Sequence, residues 1–495
     1  MKAPPPLVLL ATRDLETLAL EDWAMRCAQG LDAGARLLTL FGRVTEGDTV
    51  LTTALLQEPD GTLRLLRGCA EHGQSFASLT TRHPAAQMFE RELWEQTGLQ
   101  PQGHPWLKPV RYQGARQQHL HEYPFFTVRG QEVHEVGVGP IHASVIEPGH
   151  FRFMCHGEKV HHLEIQLGYQ HRGIEAQLLT RPPTALSPLV ESIVGDSTIA
   201  YTWGYCAAVE ALSGTPVSAG ANAVRGVALE LERIAMHLAT LNGLATDIAF
   251  LQGGASYGRL RTAIINASMR VCGSRFGRGW LRPGGVRCGI DEALQKDLLA
   301  TLAAFARDLT QVNTLMLEAR SVQSRFQGVG VVSLKAAQEI GLSGPVARAS
   351  GIAFDTRVNL AGAPYSEHPV ALLTESGGDC WARMKLRMRE IDESLRWLHA
   401  VLQTPQQRQQ ASTVALPLSA PLAPDHICLS LVEGFRGPVI QALETDAKGQ
   451  LVHYKVQDPS LQNWFGLALA VRDNEISDFP ICNKSFDLSY CGSDL

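Results

Sequence analysis

No two of the ten cysteines, at 27, 69, 155, 206, 272, 288, 380, 428, 482 and 491, form a Cys-x-x-Cys pair. In a chain of 495 residues this sparse scatter argues against a disulfide scaffold. It also argues against a zinc or iron–sulfur site built by this chain alone. Long apolar runs are missing too. No stretch reaches the roughly 18 uninterrupted apolar residues of a membrane span, so no transmembrane helix is expected. The opening MKAPPPLVLLATRDLE has a short apolar run broken by charges and lacks the h-region and cleavage site of a signal peptide. Positive charge is not in excess: 44 Lys and Arg face 49 Asp and Glu, for a net charge of −5. A nucleic-acid binder needs a basic face, so that class is excluded. Attachment to anionic headgroups is not favoured either, which leaves partner proteins as the route to a membrane. There is no Gly-x-Gly-x-x-Gly followed by an acidic residue, hence no local support for direct NAD binding. His156, His161 and His162 cluster without a His-Glu-x-x-His spacing. On a strand the last two point to opposite faces, so a structural role is expected for them.

What is present is a globular composition, 45% hydrophobic and 19% charged, in a chain long enough for two or three domains. Residues 1–115 read as a small α/β unit. Thr49–Leu56 has strand content, Pro59-Asp60-Gly61 supplies a turn, and Phe89–Gln96 reads as a helix closed by Gly98. A polar linker is expected over 116–130. From 131 to 495 a second domain begins with strands, in which Leu163, Ile165 and Leu167 alternate. It continues as mostly helix from 185 to about 400. The clearest helix spans Arg225–Leu244, with Val227, Leu231, Ile234, Leu238 and Leu241 as its core stripe and Glu230, Glu232 and Arg233 off that line. Residues 404–425 read as a connection. Pro438–Glu444 and Leu451–Val456 then form a hairpin around Asp446–Gly449. The fold class is therefore α+β: a small N-terminal α/β domain, then a mainly helical domain with β strands at its two ends.

Three regions, in order, resemble one family. FERELWEQTGLQPQGHPWLKPVRY (89–112) resembles the signature of the C-type component of complex I, although alone the charged FERE run would read as a solvated helix face. GPIHASVIEPGHFRF (139–153) and LGYQHRGIE (167–175) resemble the start of the large subunit shared by complex I, where it is the D-type component, and the group 4 nickel–iron hydrogenases. VRGVALELERIAMHLATLNGLATDIAF (224–250), GSRFGRGWLRPGGV (273–286), GVGVVSLKAAQEIGLSGPVARASGIAFDTR (328–357) and Gly378-Asp379-Cys380 continue the series. EGFRG (433–437), DPSLQNW (458–464) and DFPICNKSFDLSYCGSDL (478–495) look closer to hydrogenase large subunits. The resemblance implies strands at both ends of a helical bundle. It also implies a partner, an iron–sulfur small subunit like the B-type component of complex I, with a 4Fe–4S cluster. Membrane-arm partners, H-type and antiporter-like, are implied too, with a place on the cytoplasmic face of the inner membrane.

A nickel–iron centre needs four thiolates, because soft sulfur holds nickel and bridges it to iron. On the resemblance, the ligand positions here are Val194, Ser197, Ser489 and Gly492, with Cys491 one residue out of register. The family's hydrogenases are trimmed after metal insertion, and a chain stopping at Leu495 is expected to need no trimming. No metal is therefore expected, and no cofactor bound by this chain alone. Complex I also lacks these thiolates and uses the cavity for quinone, which makes quinone the second candidate. The family's tyrosine would fall near Gly195, leaving Tyr201 or Tyr205 nearby, and its loop histidine would be His142 or His150. A His–Tyr pair would protonate a reduced quinone. His171 and Arg172 occupy the segment that faces the partner's cluster in the family, where an arginine stabilises the reduced cluster. Arg172 could equally pair with Glu175 one turn on. Glu191 and Glu210 read either as the start of a proton path or as ordinary surface or arginine-paired carboxylates. The expected role is electron transfer coupled to proton or ion translocation in a complex-I-like or hydrogenase-like respiratory assembly. The rivals are a quinone-reducing component, an active hydrogenase with altered ligands, and a non-redox coupling component.

Overall fold

The computed structural model describes residues 6–130, 132–143, 146–404, 417 and 420–495, so most of the expected 404–425 connection lies outside the described residues. Near the N-terminus, a four-stranded sheet runs in the order Thr17–Ala19, Leu63–Glu71, Thr49–Gln57, Arg36–Val44. The turn at Asp60-Gly61 forms as expected, with Thr62 N donating to Asp60 Oδ1 at 2.8 Å and Gly61 at φ +88°. The amphipathic helix Leu20–Asp32 buries Trp23, Ala24 and Cys27 against this sheet. Phe76, Leu79, Phe89 and Leu93 complete that core. The helix Gln87–Thr97 stops at Gly98, whose φ of +78° is the left-handed conformation that glycine tolerates best.

The FERE run on that helix departs from the solvated face that its charges suggest. Glu90, Arg91 and Glu92 are all buried. Glu90 accepts hydrogen bonds from the Ser78 and Thr80 hydroxyls and the Leu79 amide, and burial pushes its carboxyl up. Glu92 is paired with Arg111 and with Lys455. Lys455 lies in the last sheet, so the charges that look exposed in sequence fasten the small unit to the far end of the chain.

The second domain opens on an antiparallel sheet of Val133–Val138, His150–His156 and Lys159–Gln166. A bulge at His161 interrupts the simple alternation expected there. His161 stacks on His156, while His162 sits against Trp106 and Phe126. A bundle follows, built on the helices Thr198–Ser213, Ala219–Asp247, Leu251–Cys272, Glu292–Glu318 and Cys380–Gln403. The expected stripe from Val227 to Leu241 is buried. Glu230, Glu232 and Arg233, off that line, are buried as well, because other elements surround Ala219–Asp247 on every side. None of the described helices is long and apolar enough to cross a membrane.

The final sheet has the order Leu7–Ala11, His426–Gly434, Gly437–Thr445, Leu451–Gln457, all antiparallel. Its edge strand therefore comes from the other end of the chain, with Leu7 opposite Ser430 and Ala11 opposite His426. The sequence boundary at 115 grouped that strand with the N-terminal unit. Three short helices, Ser460–Val471, Phe479–Phe486 and Tyr490–Asp494, finish the fold. The class is α+β, with strands at both ends of a helical domain.

Candidate functional site

Three distant stretches meet in one place: the turn 191–197 before the helix Thr198–Ser213, the strand end at Gln457–Ser460, and the segment Asp487–Leu495. In the turn, Ser197 N donates to Val194 O at 3.1 Å. In the closing segment, Ser489 Oγ caps the last helix by accepting from Gly492 N at 3.0 Å. Gly492 packs tightly: a Cβ there would lie 2.8 Å from Val194 Cγ2 and would run into the Asp458 carboxylate. The structure thus brings Val194, Ser197, Ser489 and Gly492 together, all buried.

Several polar groups around them bond to one another. Tyr201 donates its hydroxyl to Asp458 Oδ2, while Asp458 Oδ1 accepts from Ser460 N at 2.6 Å. Burial, and then the adjacent Asp458 charge, push the Tyr201 phenol well above its ordinary value. Ser489 N donates to Ser460 Oγ at 2.9 Å, and Trp464 Nε1 to Ser493 Oγ at 2.9 Å. At the rim, Arg436 holds Asp196 bidentately at 2.7 and 2.9 Å. Asp458 and Arg436 were not singled out from sequence, although both lie in stretches, DPSLQNW and EGFRG, that carried the resemblance.

Beneath the turn, Glu232 accepts from Ile199 N at 2.6 Å and Ala200 N at 3.2 Å. It thereby satisfies two of the orphan amides at the start of the helix Thr198–Ser213. Burial outweighs those two bonds and lifts its carboxyl to about 8.

A four-thiolate nickel–iron centre does not fit these residues. The four positions offer an isopropyl group, two hydroxyls and a hydrogen. The neighbouring Cys491 thiol is pushed up to about 12 by burial and then by Glu147. A cysteine side chain at 492 would collide with Asp458.

The quinone candidates make separate hydrogen bonds. His142 Nε2 is hydrogen-bonded to Gly149 O at 2.9 Å, and His150 Nδ1 to Gly139 O at 3.1 Å. Both imidazoles close their own loop. That loop covers the closing segment, with Tyr490 N donating to Glu147 Oε2 at 3.1 Å. Among the described residues neither histidine is hydrogen-bonded to Tyr201.

His171 and Arg172 lie in a loop, 168–173, that cups the closing segment. Gly168 N and Gln170 N each donate to the Asp494 carboxylate at 2.8 Å. His171 Nδ1 is hydrogen-bonded to Asp494 O at 2.8 Å, and Arg172 N donates to Leu495 O at 2.8 Å. The Arg172 guanidinium donates to Ser192 O at 2.9 Å and Ile193 O at 2.8 Å. The pairing with Glu175 does not form. Glu175 instead meets Lys455 at 2.9 Å, and despite burial Lys455 and Arg111 bring it down to about 2. Arg172 thus ties the turn of Val194 to the loop beside it.

Glu191 and Glu210 are spent separately. Glu191 Oε1 accepts from Gly279 N at 2.7 Å, and burial raises its carboxyl. Glu210 holds the buried Arg225 at 2.5 Å and accepts from Gly284 N at 2.7 Å. Of the readings open for Glu210, the partner of a buried arginine is the one observed.

Sequence periodicity missed the ionic cluster along the helix Ala219–Asp247. Glu230 meets Arg357 at 3.0 Å, the Tyr365 hydroxyl at 2.6 Å and Ser394 Oγ at 2.5 Å. Glu390 meets Arg233 at 2.7 Å, Arg348 at 2.8 Å and His237 at 3.1 Å. Glu433 holds Arg348 at 2.7 Å, and Asp355 holds Arg357 at 2.7 Å. Its signal was a helix with charges on several faces and no polar arc wide enough to meet water.

Comparison with known proteins finds relatives by sequence and by fold. Residues 255–420 match the family described as the respiratory-chain NADH dehydrogenase 49 kDa subunit, and residues 29–124 match that of its 30 kDa subunit. The chain is 27% identical over 445 residues to hydrogenase-4 component G of Escherichia coli (strain K12), covering 85% of this chain and 76% of that one. It is 30% identical over 283 residues to the D subunit of NADH-quinone oxidoreductase from Campylobacter concisus (strain 13826), covering 57% of this chain and 68% of that one. A chain in the structure of the membrane-bound sulfane sulfur reductase, an archaeal respiratory membrane complex, superposes with a TM-score of 0.67. That match has 21% identity and spans 74% of this chain and 100% of the other, a likeness of fold.

Proposed function

For a chain that belongs to the family of the 49 kDa-type component of complex I and the group 4 hydrogenase large subunits, with a 30 kDa-type domain joined in front, we propose the role of large subunit in a membrane-bound respiratory assembly. In this reading it sits on the cytoplasmic face of the inner membrane. It packs against an iron–sulfur small subunit that holds a 4Fe–4S cluster, and it stands above membrane-arm partners of the H-type and antiporter-like kinds. Electron transfer through the assembly is coupled to proton or ion translocation, with no nickel–iron centre in this chain. One observation carries the last point: Asp458 fills the space into which a side chain at 492 would project. The test is metal analysis and hydrogen turnover of the purified assembly. We expect iron from the small subunit, no stoichiometric nickel and no hydrogen evolution. Stoichiometric nickel would overturn the reading.

A second reading, quinone reduction, draws on the loop of His142 and His150 lying over Tyr490, next to the Tyr201–Asp458 pair. In that case Tyr201 would supply a proton to the reduced ring, and Asp458 would hold and orient that phenol. Quinone reduction by the assembly that falls more than tenfold in Tyr201→Phe, with the fold intact, is the outcome this reading requires.

A further inference from the structure

Two of the ten cysteines come together although 102 positions separate them in sequence (482 − 380). Cys380 opens the helix Cys380–Gln403, directly after its capping residue Asp379. Cys482 lies within Phe479–Phe486, the helix that leads into the closing segment. Both are fully buried. Gly330 is the lid over them: a Cβ there would stand 2.7 Å from Cys482 Sγ and 3.4 Å from Cys380 Sγ. Only a residue without a side chain leaves room for the two sulfurs.

The surroundings treat the two thiols unequally. Arg383 Nη2 approaches Cys380 Sγ at 3.5 Å, and Cys380 Sγ approaches Ser485 Oγ at 3.5 Å. Arg383 Nε also holds Ser485 Oγ at 2.8 Å, which fixes the guanidinium against the sulfur. A helix N-terminus and an adjacent arginine both stabilise a thiolate. Burial opposes ionisation of Cys380. The neighbouring Cys482 thiol and the charge of Arg383 outweigh it and bring Cys380 down to about 6, while Cys482 rises. Two buried sulfurs in unequal surroundings thus lie beneath one glycine, with the arginine against Cys380.

We propose that Cys380 and Cys482 form a thiol–disulfide site in which Cys380 is the attacking sulfur and Cys482 the resolving one, oxidised by a small hydroperoxide such as hydrogen peroxide. The Cys380 thiolate attacks the O–O bond, which breaks; with one proton taken up this releases water and leaves Cys380 as a sulfenic acid. The Cys482 thiol then displaces that hydroxyl as a second water, and the S–S bond forms. The two thiols lose two electrons in all, and the peroxide gains them. Above them the loop carries exposed Gln327 and Gly328, and Val329 O accepts from Cys380 N at 2.9 Å; opening of that loop would admit the peroxide. The product would staple the bundle to the helix preceding Ser489 and Gly492, so the oxidation state would bear on the mobility of the candidate site.

The experiment uses the full chain in its assembly, treated with hydrogen peroxide, alkylated, digested without reduction and mapped by mass spectrometry. A cross-linked Cys380–Cys482 peptide should form at least tenfold faster than Cys206 or Cys428 reacts, since burial raises both of those thiols. Cys482→Ser should convert the cross-link into a dimedone-reactive sulfenic acid on Cys380, and Cys380→Ser should abolish both signals. Oxidation confined to the half-exposed Cys272 and Cys288, or a Cys482→Ser protein that folds and gives no sulfenic acid, would overturn the proposal.

Discussion

Two buried polar regions of the molecule have been built in opposite ways. At Val194, Ser197, Ser489 and Gly492 the side chains are short and neutral, and the carboxylate against Gly492, Asp458, is held by a phenol and a backbone amide. Around Glu230, Arg233, Arg348 and Glu390 the side chains are long and ionised, and each acid meets at least one arginine. The first region offers none of the thiolates that a nickel–iron centre requires. The second keeps charges that are expensive to hold away from water. Ions buried in mutual contact cannot be removed one at a time, because each deletion strands its partners.

That contrast sets the scale of what substitutions should do. Glu390→Ala removes the shared partner of Arg233, Arg348 and His237, and should cost about 3–5 kcal/mol. Urea unfolding measures it, and a loss below about 1 kcal/mol would show that the cluster is solvated, in the range typical of exposed pairs. Next comes Glu232, beneath the turn. Its carboxyl is raised from an ordinary 4.5 to about 8, so the folded state binds the proton that the unfolded state releases. Its contribution is whole below about pH 4.5 and is lost as pH rises towards 8. Glu232→Gln should therefore flatten that part of the stability profile, gaining on the order of 3 kcal/mol over the parent at the alkaline end. Equal slopes in the two proteins would refute the raised carboxyl.

On the neutral side, Gly492→Ala should cost about 1–3 kcal/mol through overpacking against Asp458. Asp458→Ala in the same protein should recover part of that loss, and simple additivity of the two changes would rule out their contact. The smallest effect belongs to the exposed pair Arg259–Asp308, at 2.8 Å. Arg259→Ala should change stability by less than about 1 kcal/mol, and by less still in high salt.

The regular elements were readable in sequence where periodicity and turn chemistry agreed. The strand Thr49–Gln57, the Gly98 stop and the hairpin Gly437–Gln457 all follow from local pattern. The positions of Val194, Ser197, Ser489 and Gly492 were readable only through resemblance, because serine, valine and glycine carry no chemical signal of their own. The pairing of Glu92 with Lys455 and of Glu230 with Arg357 was not readable at all. A charged residue looks the same in sequence whether its counter-ion is water or an arginine a hundred residues away. Arg172 failed for a related reason. A local partner at one-turn spacing was available in Glu175, yet backbone carbonyls at Ser192 and Ile193 won.

The strand Leu7–Ala11 sets a timetable for synthesis. Next to it, Thr12 Oγ1 donates to Asp425 O across a separation of 413 positions. At typical translation rates of about 5–20 residues per second, the strand waits roughly 20–80 s for its partner to emerge. Throughout that interval its backbone amides and carbonyls have no sheet to join. The small N-terminal core, closed within residues 20–99, can form early. The last sheet cannot be completed until the strand Leu451–Gln457 has been made, which leaves that edge strand exposed to mispairing during synthesis.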